Sequence, residues 1–112
     1  MPHIAAYGTL RVGHHNFSRF NLNAIEQNVV IKGFDLYDLG PYPCIVEQPD
    51  GEITVDILEC SEHTLTGIRR MEVGAGYNYK KVDINGIECE IYFFNNIPKH
   101  ANKIEHGDYN RK

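Results

Sequence analysis

The sequence contains few cysteines, few basic residues and no long apolar run, and each shortage excludes a class of protein. Its three cysteines, Cys44, Cys60 and Cys89, form no Cys-x-x-Cys pair. An odd number of widely spaced cysteines favours reduced thiols over a disulfide framework. Each of them lies in an apolar stretch, which is typical of a small buried side chain. We therefore expect a cytoplasmic protein without disulfides.

The charge balance and the hydropathy pattern argue against polyanionic partners and membranes. Eleven Lys and Arg against fifteen Asp and Glu give a net charge of −4. Because nucleic-acid binding depends on Lys and Arg that displace counterions from phosphates, we expect no nucleic-acid partner. No apolar run approaches the roughly 20 residues of a membrane-spanning helix. The N-terminus also lacks the basic-then-apolar pattern of a secretion signal, so no membrane association is expected.

A chain of 112 residues with 42% hydrophobic residues is expected to form one domain, residues 1–112. Alternating and β-rich segments predict five or six strands, and Gly33 marks a bulge or bend inside one of them. The predicted strands cover residues 3–7, 29–37, 44–47, 52–60, 80–84 and 87–94. Turn residues 49–51 and 83–86 predict two β-hairpins, the second around an Asn-Gly dipeptide.

Two helices complete the predicted elements. The clearer one runs from Ser61 to Glu72, with Ser61 as its N-cap and Gly74 as its stop signal. A shorter helix is predicted over residues 16–26, and the tail from Ile97 is expected to be irregular. One firm helix and several strands predict an α+β fold with a mixed or largely antiparallel sheet, which can curl into a small β-barrel with flanking helices.

Glu72 does not fit the face on which it lies. Leu65 and Ile68 form the apolar stripe of the predicted helix, and the next position of that stripe is Glu72. Burial and the negative end of the helix dipole both raise the pKa of such a carboxyl toward values useful for general acid–base catalysis. The alternative is that Met71 carries the packing and Glu72 simply ends the helix in water.

The loop over residues 7–13 is a second candidate site. Two glycines five residues apart after a strand allow backbone N–H groups to turn inward and cradle an anion. The loop has no Gly-Lys-Ser/Thr ending, so it is not a P-loop. A plain turn from strand to loop is the alternative interpretation.

Several segments, taken in chain order, resemble the gamma-glutamylcyclotransferase-like (AIG2-like) family. Residues 7–16 resemble its Tyr-Gly-Thr-Leu signature, and residues 68–72 resemble the helix end that carries its catalytic glutamate. Weaker matches occur at residues 33–43, 79–81, 91–93 and 104–109. Together these matches span nearly the whole chain.

The resemblance implies a compact β-barrel with flanking helices and a cavity beside the Tyr-Gly-Thr-Leu loop. It also implies a small-molecule substrate with a gamma-glutamyl group, cyclised to 5-oxoproline with release of an amine. Because this cyclisation is intramolecular, the enzyme needs no nucleophile, no metal and no cofactor. Carried over to this chain, the resemblance makes Glu72 the general acid–base. The implied substrate-binding residues are Tyr7, Gly8, Thr9, Leu10 and Tyr79.

The sequence departs from the family pattern at several positions. Arg69 stands where the family has Asp, Val73 and Val55 stand where it usually has Gly, and Lys81 replaces an Arg with a shift of one residue. These departures keep a second hypothesis open. In that hypothesis, the protein is a non-catalytic module that binds or sequesters a small anionic metabolite in the same cavity.

Overall fold

The computed structural model describes residues 1–112 and contains a six-stranded mixed sheet, two helices and a C-terminal 3-10 turn. The elements are β1 (His3–Ala6), α1 (His15–Arg19), β2 (Asn23–Asp38), β3 (Pro43–Glu59), α2 (Glu62–Gly74), β4 (Asn78–Ile84), β5 (Ile87–Phe93), β6 (Asn102–Ile104) and the 3-10 turn (Tyr109–Arg111). The predicted α+β class with a curled mixed sheet is confirmed.

The sheet has the strand order β4-β5-β1-β3-β2-β6. All neighbours are antiparallel except β1 and β5, which run parallel. The sheet curls into a half-barrel because the long strand β3 contacts β1 near one end and the residue after β5 near the other. Its second half pairs with β1, while near its start the Phe94 N–H donates to the Ile45 carbonyl at 2.9 Å.

The β3 strand corrects the first predicted hairpin. Residues 44–47 and 52–60 belong to one strand, because Glu47 faces Phe34 and Glu52 faces Lys32 on the same neighbour, β2. The Pro-Asp-Gly segment therefore bulges outward without reversing the chain. The bulge or bend expected at Gly33 is confirmed, since the ladder shifts register between Lys32 and Phe34 and glycine adopts the φ of 104° found there.

Two other predicted segments differ from the structure. The helix expected over residues 16–26 ends at Arg19, because the chain from Asn23 onward pairs with β3 instead. The tail expected to be irregular forms β6, in which Ile104 lies opposite Leu36 of β2. In both places a long-range strand pairing overrides the local pattern.

The predicted N-cap and the second hairpin are both present. Ser61 Oγ accepts from the Thr64 N–H at 3.1 Å at the start of α2. Asn85 and Gly86, with φ of 53° and 84°, join β4 to β5 in the conformation that such Asn-Gly turns adopt.

Two apolar layers hold α2 and the loop after β1 in place. One layer fills the inside of the half-barrel, where Val55 and Ile57 of β3 are fully buried. The other lies between the sheet and α2, where Ile4 and Leu58 share a cluster with Ile68 of the helix. Burial of Ile68 orients α2 so that the next position of its stripe, Glu72, faces the end of β1.

We predict that Gly107→Ala destabilises the fold much more than Gly86→Ala. Both glycines have a positive φ, 73° and 84° respectively, so each substitution carries a similar conformational cost of about 1 kcal/mol. Only at Gly107 would the new Cβ clash with backbone, namely the Glu52 carbonyl, whereas at Gly86 it would meet open space. Urea denaturation should show an extra loss of at least about 1–3 kcal/mol for Gly107→Ala. Equal losses would contradict this account.

Candidate active site

A cavity of about 210 Å³ lies between the loop that follows β1 and the C-terminal end of α2. Most of its lining is apolar, and the polar groups concentrate on the loop, on the end of α2 and on four tyrosines. The lining residues are Ala5, Ala6, Tyr7, Gly8, Thr9, Leu10, Asn16, Tyr42, Pro43, Met71, Glu72, Ala75, Tyr77 and Tyr92.

The loop side of the cavity carries unused hydrogen-bond donors. The backbone N–H groups of Gly8, Thr9 and Leu10 donate to no acceptor within the protein. Gly8 allows this arrangement because a Cβ at its position would lie 2.5 Å from Cγ of Pro43. Successive free amides on a turn form a concave site that favours an anion.

Arg11 anchors this loop from behind. Its side chain is fully buried, and Nη1 donates to Oδ1 of Asp108 at 2.8 Å. The Nη2 atom donates to Oδ1 of Asn28 at 2.7 Å and to Oδ1 of Asp56 at 3.2 Å. Nothing in the local sequence pattern indicates this cluster, because its members come from four distant segments.

Glu72 lies in the last turn of α2, where it is half-buried and lines the cavity. Its carboxylate makes no hydrogen bond or ion pair with another group of the protein. Burial raises the pKa of Glu72 from its ordinary value of 4.5 to about 7. The carboxyl is therefore able to take up and give back a proton near neutral pH.

Three tyrosines supply hydrogen-bond acceptors to the same cavity. The hydroxyl of Tyr7 donates to the Tyr92 carbonyl at 2.8 Å, that of Tyr77 to the Pro43 carbonyl at 2.6 Å, and that of Tyr92 to Oε2 of Glu90 at 2.6 Å. Burial raises the pKa of all three phenols above the usual range, so they stay protonated. Because the single hydroxyl hydrogen of each phenol is already donated within the protein, the phenol oxygen can only accept a hydrogen bond from a ligand.

Asn16 supports the loop from the side of α1. Its Nδ2 donates to Oγ1 of Thr9 at 2.9 Å, which ties α1 to the loop. Its Oδ1 is buried and has no partner in the protein. This oxygen is closed off from solvent, so Asn16 contributes to the site by holding Thr9 in place.

The structure brings five of the six residues named from the sequence around one cavity: Tyr7, Gly8, Thr9, Leu10 and Glu72. Tyr79 does not join them. Its side chain is 45% exposed on β4, with the Arg69 guanidinium 4.8 Å from its ring centroid.

Tyr77 contributes the lining side chain from this part of the chain instead. Its N–H donates to the Glu72 carbonyl at 3.0 Å, which holds it beside the end of α2 before β4 begins. Asn16 and Tyr92 also line the cavity without a local sequence signal, because only the folded chain brings them to it. The short distance from Glu72 to Tyr77 along the chain was the one available hint.

Neither a metal site nor a membrane-spanning helix appears in the chain. No three His, Cys, Asp or Glu side chains are grouped as metal ligands would be. No helix combines the length and the apolar character needed to cross a membrane.

A curled mixed sheet with a small cavity between a loop of free amides and a helix-end carboxylate defines an α+β protein built around a small-molecule site. The chain belongs to the gamma-glutamyl cyclotransferase, AIG2-like family, whose model matches residues 4–111. The family resemblance seen in the sequence is thus confirmed. Membership supports a cyclotransferase-type function in general and a small-molecule substrate.

Solved structures share the fold over nearly the whole chain. The uncharacterised protein PH0828 from Pyrococcus horikoshii is 25% identical with a TM-score of 0.84, covering 99% of this chain and 92% of that one. Protein ytfP from Escherichia coli is 22% identical with a TM-score of 0.75, over 96% and 95% of the two chains. YkqA from Bacillus subtilis is 25% identical with a TM-score of 0.77, over 98% of this chain and 40% of that chain. No curated protein matches this chain significantly.

We predict that Glu72→Gln makes the stability of the protein less sensitive to a rise in pH from about 4.5 to about 8. Because the folded-state pKa of Glu72 is raised, its contribution to stability is complete below about pH 4.5 and is lost as the pH rises through about 7. Glutamine does not ionise, so the stability of the variant does not fall in this way as the pH rises. Urea denaturation should therefore show Glu72→Gln gaining on the wild type between pH 4.5 and pH 8, by on the order of 2 kcal/mol. The exposed Glu62→Gln variant on the same helix should show no such gain, and a pH-independent difference for Glu72→Gln would contradict its burial.

Proposed function

We propose that this protein cyclises a gamma-glutamyl amine or peptide to 5-oxoproline and releases the amine, with Glu72 as the general acid–base. One observation carries the proposal. A carboxyl whose pKa lies at about 7 shares a 210 Å³ cavity with three free backbone amides. A cavity of this size, below the roughly 300–1,000 Å³ of drug-sized pockets, suits a small ligand.

The cavity has the polarity of an amino-acid site. The amides of Gly8, Thr9 and Leu10 suit an α-carboxylate, since free N–H groups on a turn attract anions. Elsewhere the lining offers acceptors, namely the hydroxyl oxygens of Tyr7, Tyr77 and Tyr92 and the Glu72 carboxylate, together with the hydroxyl of Tyr42. These acceptors suit an α-ammonium group, so the cavity offers partners for both charged groups of an α-amino acid.

The proposed reaction needs only proton transfer and folding of the substrate. Ionised Glu72 takes a proton from the α-ammonium, and the free amine attacks the substrate's own γ-carbonyl carbon. The new C–N bond closes a five-membered ring, and loop N–H groups not engaged by the carboxylate stabilise the oxyanion. Protonated Glu72 then gives its proton to the leaving nitrogen as the γ C–N bond breaks and the carbonyl re-forms, while the ring nitrogen loses its second surplus proton to water, which leaves a neutral lactam, the free amine and an ionised Glu72.

The departures from the family pattern lie outside the cavity. Val55 is fully buried in the half-barrel core, and Val73 is 50% exposed on the surface of α2. Arg69 forms an ion pair with Glu90, and Lys81 pairs with Glu88 at the surface. None of these four residues lines the site. This placement favours a retained reaction over the alternative of a non-catalytic module that binds an anionic metabolite.

We predict release of 5-oxoproline from at least one member of a panel of gamma-glutamyl amines and peptides. Glu72→Gln should reduce kcat/KM by roughly 100-fold or more, because a proton-transfer group contributes 10²–10⁴-fold. The matched control is Glu62→Gln, an exposed glutamate in the first turn of the same helix, which should retain full activity. Ligand binding without release from any substrate would support the binding module instead.

The pH profile of kcat/KM should rise through about pH 7. In the free enzyme the base must be ionised to accept the first proton, so activity is lost as Glu72 becomes protonated below its pKa. The measurement is kcat/KM from pH 5 to pH 9 with the best substrate. A profile that is flat between pH 5 and pH 8 would argue against Glu72 as the base.

A further inference from the structure

A second buried carboxylate, Glu90, lies directly behind the cavity wall. Glu90 is on β5, is 3% exposed and does not itself line the cavity. Arg69 holds it with two bonds, Nη2 to Oε1 at 2.7 Å and Nε to Oε2 at 3.1 Å. The hydroxyl of Tyr92 donates to Oε2 as well, at 2.6 Å. The proposed reaction gives this costly buried charge no role.

Glu90 fixes the direction of the Tyr92 hydroxyl hydrogen. Burial acts to raise the pKa of Glu90, but the hydrogen bonds from Arg69 and Tyr92 outweigh it and the pKa is lowered. The carboxylate therefore stays ionised and can only accept hydrogen bonds. Tyr92 has one hydroxyl hydrogen, and Glu90 holds it on the side away from the cavity.

The backbone and the aromatic neighbours keep this arrangement rigid. The Tyr92 carbonyl accepts from the Tyr7 hydroxyl at 2.8 Å, so the residue is held at both ends. Arg69 cannot easily leave Glu90, since its guanidinium also lies over the Tyr79 ring at 4.8 Å from the centroid. Tyr79 thus helps to hold Arg69 from outside the cavity.

We propose that Glu90 is a positioning residue that acts through Tyr92 to make the cavity select ligands carrying an α-ammonium group. With its hydrogen held by Glu90, the Tyr92 oxygen offers a lone pair to an N–H donor and offers nothing to an acceptor. Without Glu90 the hydroxyl is free to turn into the cavity as a donor, which opposes an ammonium. This inference deepens the proposed function by assigning the source of its amine selectivity.

The test compares two small probes that differ only in the amine, L-norvaline and pentanoate. Neither has a γ-carbonyl group, so neither can be cyclised, and binding is measured separately from turnover by NMR titration. The wild type should bind L-norvaline about tenfold or more tightly than pentanoate, the size expected for a charge-assisted hydrogen bond. An absence of preference in the wild type would overturn the inference.

Glu90→Leu removes the acceptor and should reduce the preference for L-norvaline at least about fivefold, mainly by weakening L-norvaline binding. The matched control is Glu88→Leu, two residues earlier on β5. Its side chain is 70% exposed and pairs with Lys81, and this variant should keep the wild-type ratio. An unchanged ratio in Glu90→Leu would overturn the inference.

Tyr92→Phe tests the same inference if Glu90→Leu does not fold. It removes the hydroxyl but leaves the Arg69–Glu90 pair in place, and it should reduce the ratio to a similar extent. An unchanged ratio in this variant would again overturn the inference. The oxoproline assay separates the two proposals. If 5-oxoproline is released but the variants keep the wild-type preference for L-norvaline over pentanoate, only the inference about Glu90 is contradicted. If the preference changes but no substrate yields 5-oxoproline, only the proposed reaction is contradicted.

Discussion

The fully buried guanidinium of Arg11 joins the parts of the chain on which the cavity depends. It binds Asp56 of β3, Asn28 of β2 and Asp108 near the C-terminus. Both carboxylate oxygens of Asp56 accept further hydrogen bonds, Oδ2 from the Val12 N–H at 3.1 Å and Oδ1 from the Asn28 N–H at 3.0 Å. A buried charge is tolerated only with such partners, because removal of one partner typically costs about 3–5 kcal/mol.

This cluster explains why the two ends of the chain behave as one structural unit. Arg11 and Asp108 are 97 residues apart in sequence and 2.8 Å apart in space. The Thr54 N–H donates to the Gly107 carbonyl at 2.9 Å, which fixes the same C-terminal segment to β3. The free amides of Gly8, Thr9 and Leu10 immediately precede Arg11 in this loop. Its donors are therefore fixed in position, and for the binding role proposed here such preorganisation would reduce the entropic cost.

Local signals predicted the elements that local interactions define. The cap at Ser61, the Asn-Gly hairpin and the position of Glu72 on the buried stripe all depend on residues within a few positions of each other. The continuity of β3 was missed because Pro49 and Gly51 form a strong turn signal, and only the ladder to β2 shows that the chain runs on. The position of Tyr92 at the cavity is not predictable for a similar reason, since an alternating strand pattern does not show what packs against its buried face.

The arrangement of charge on α2 shows how a carboxyl with a raised pKa can exist beside an arginine. Arg69 and Glu72 are three residues apart on one helix, a spacing at which opposite charges commonly pair. Such a pair would lower the pKa of Glu72 and make it less suited to the general acid–base role proposed for it. In this structure the Arg69 guanidinium is bonded twice to Glu90 of β5 instead. Arg69 stands where the family usually has Asp, and its positive charge is neutralised by Glu90. Glu72 remains without a partner at the cavity.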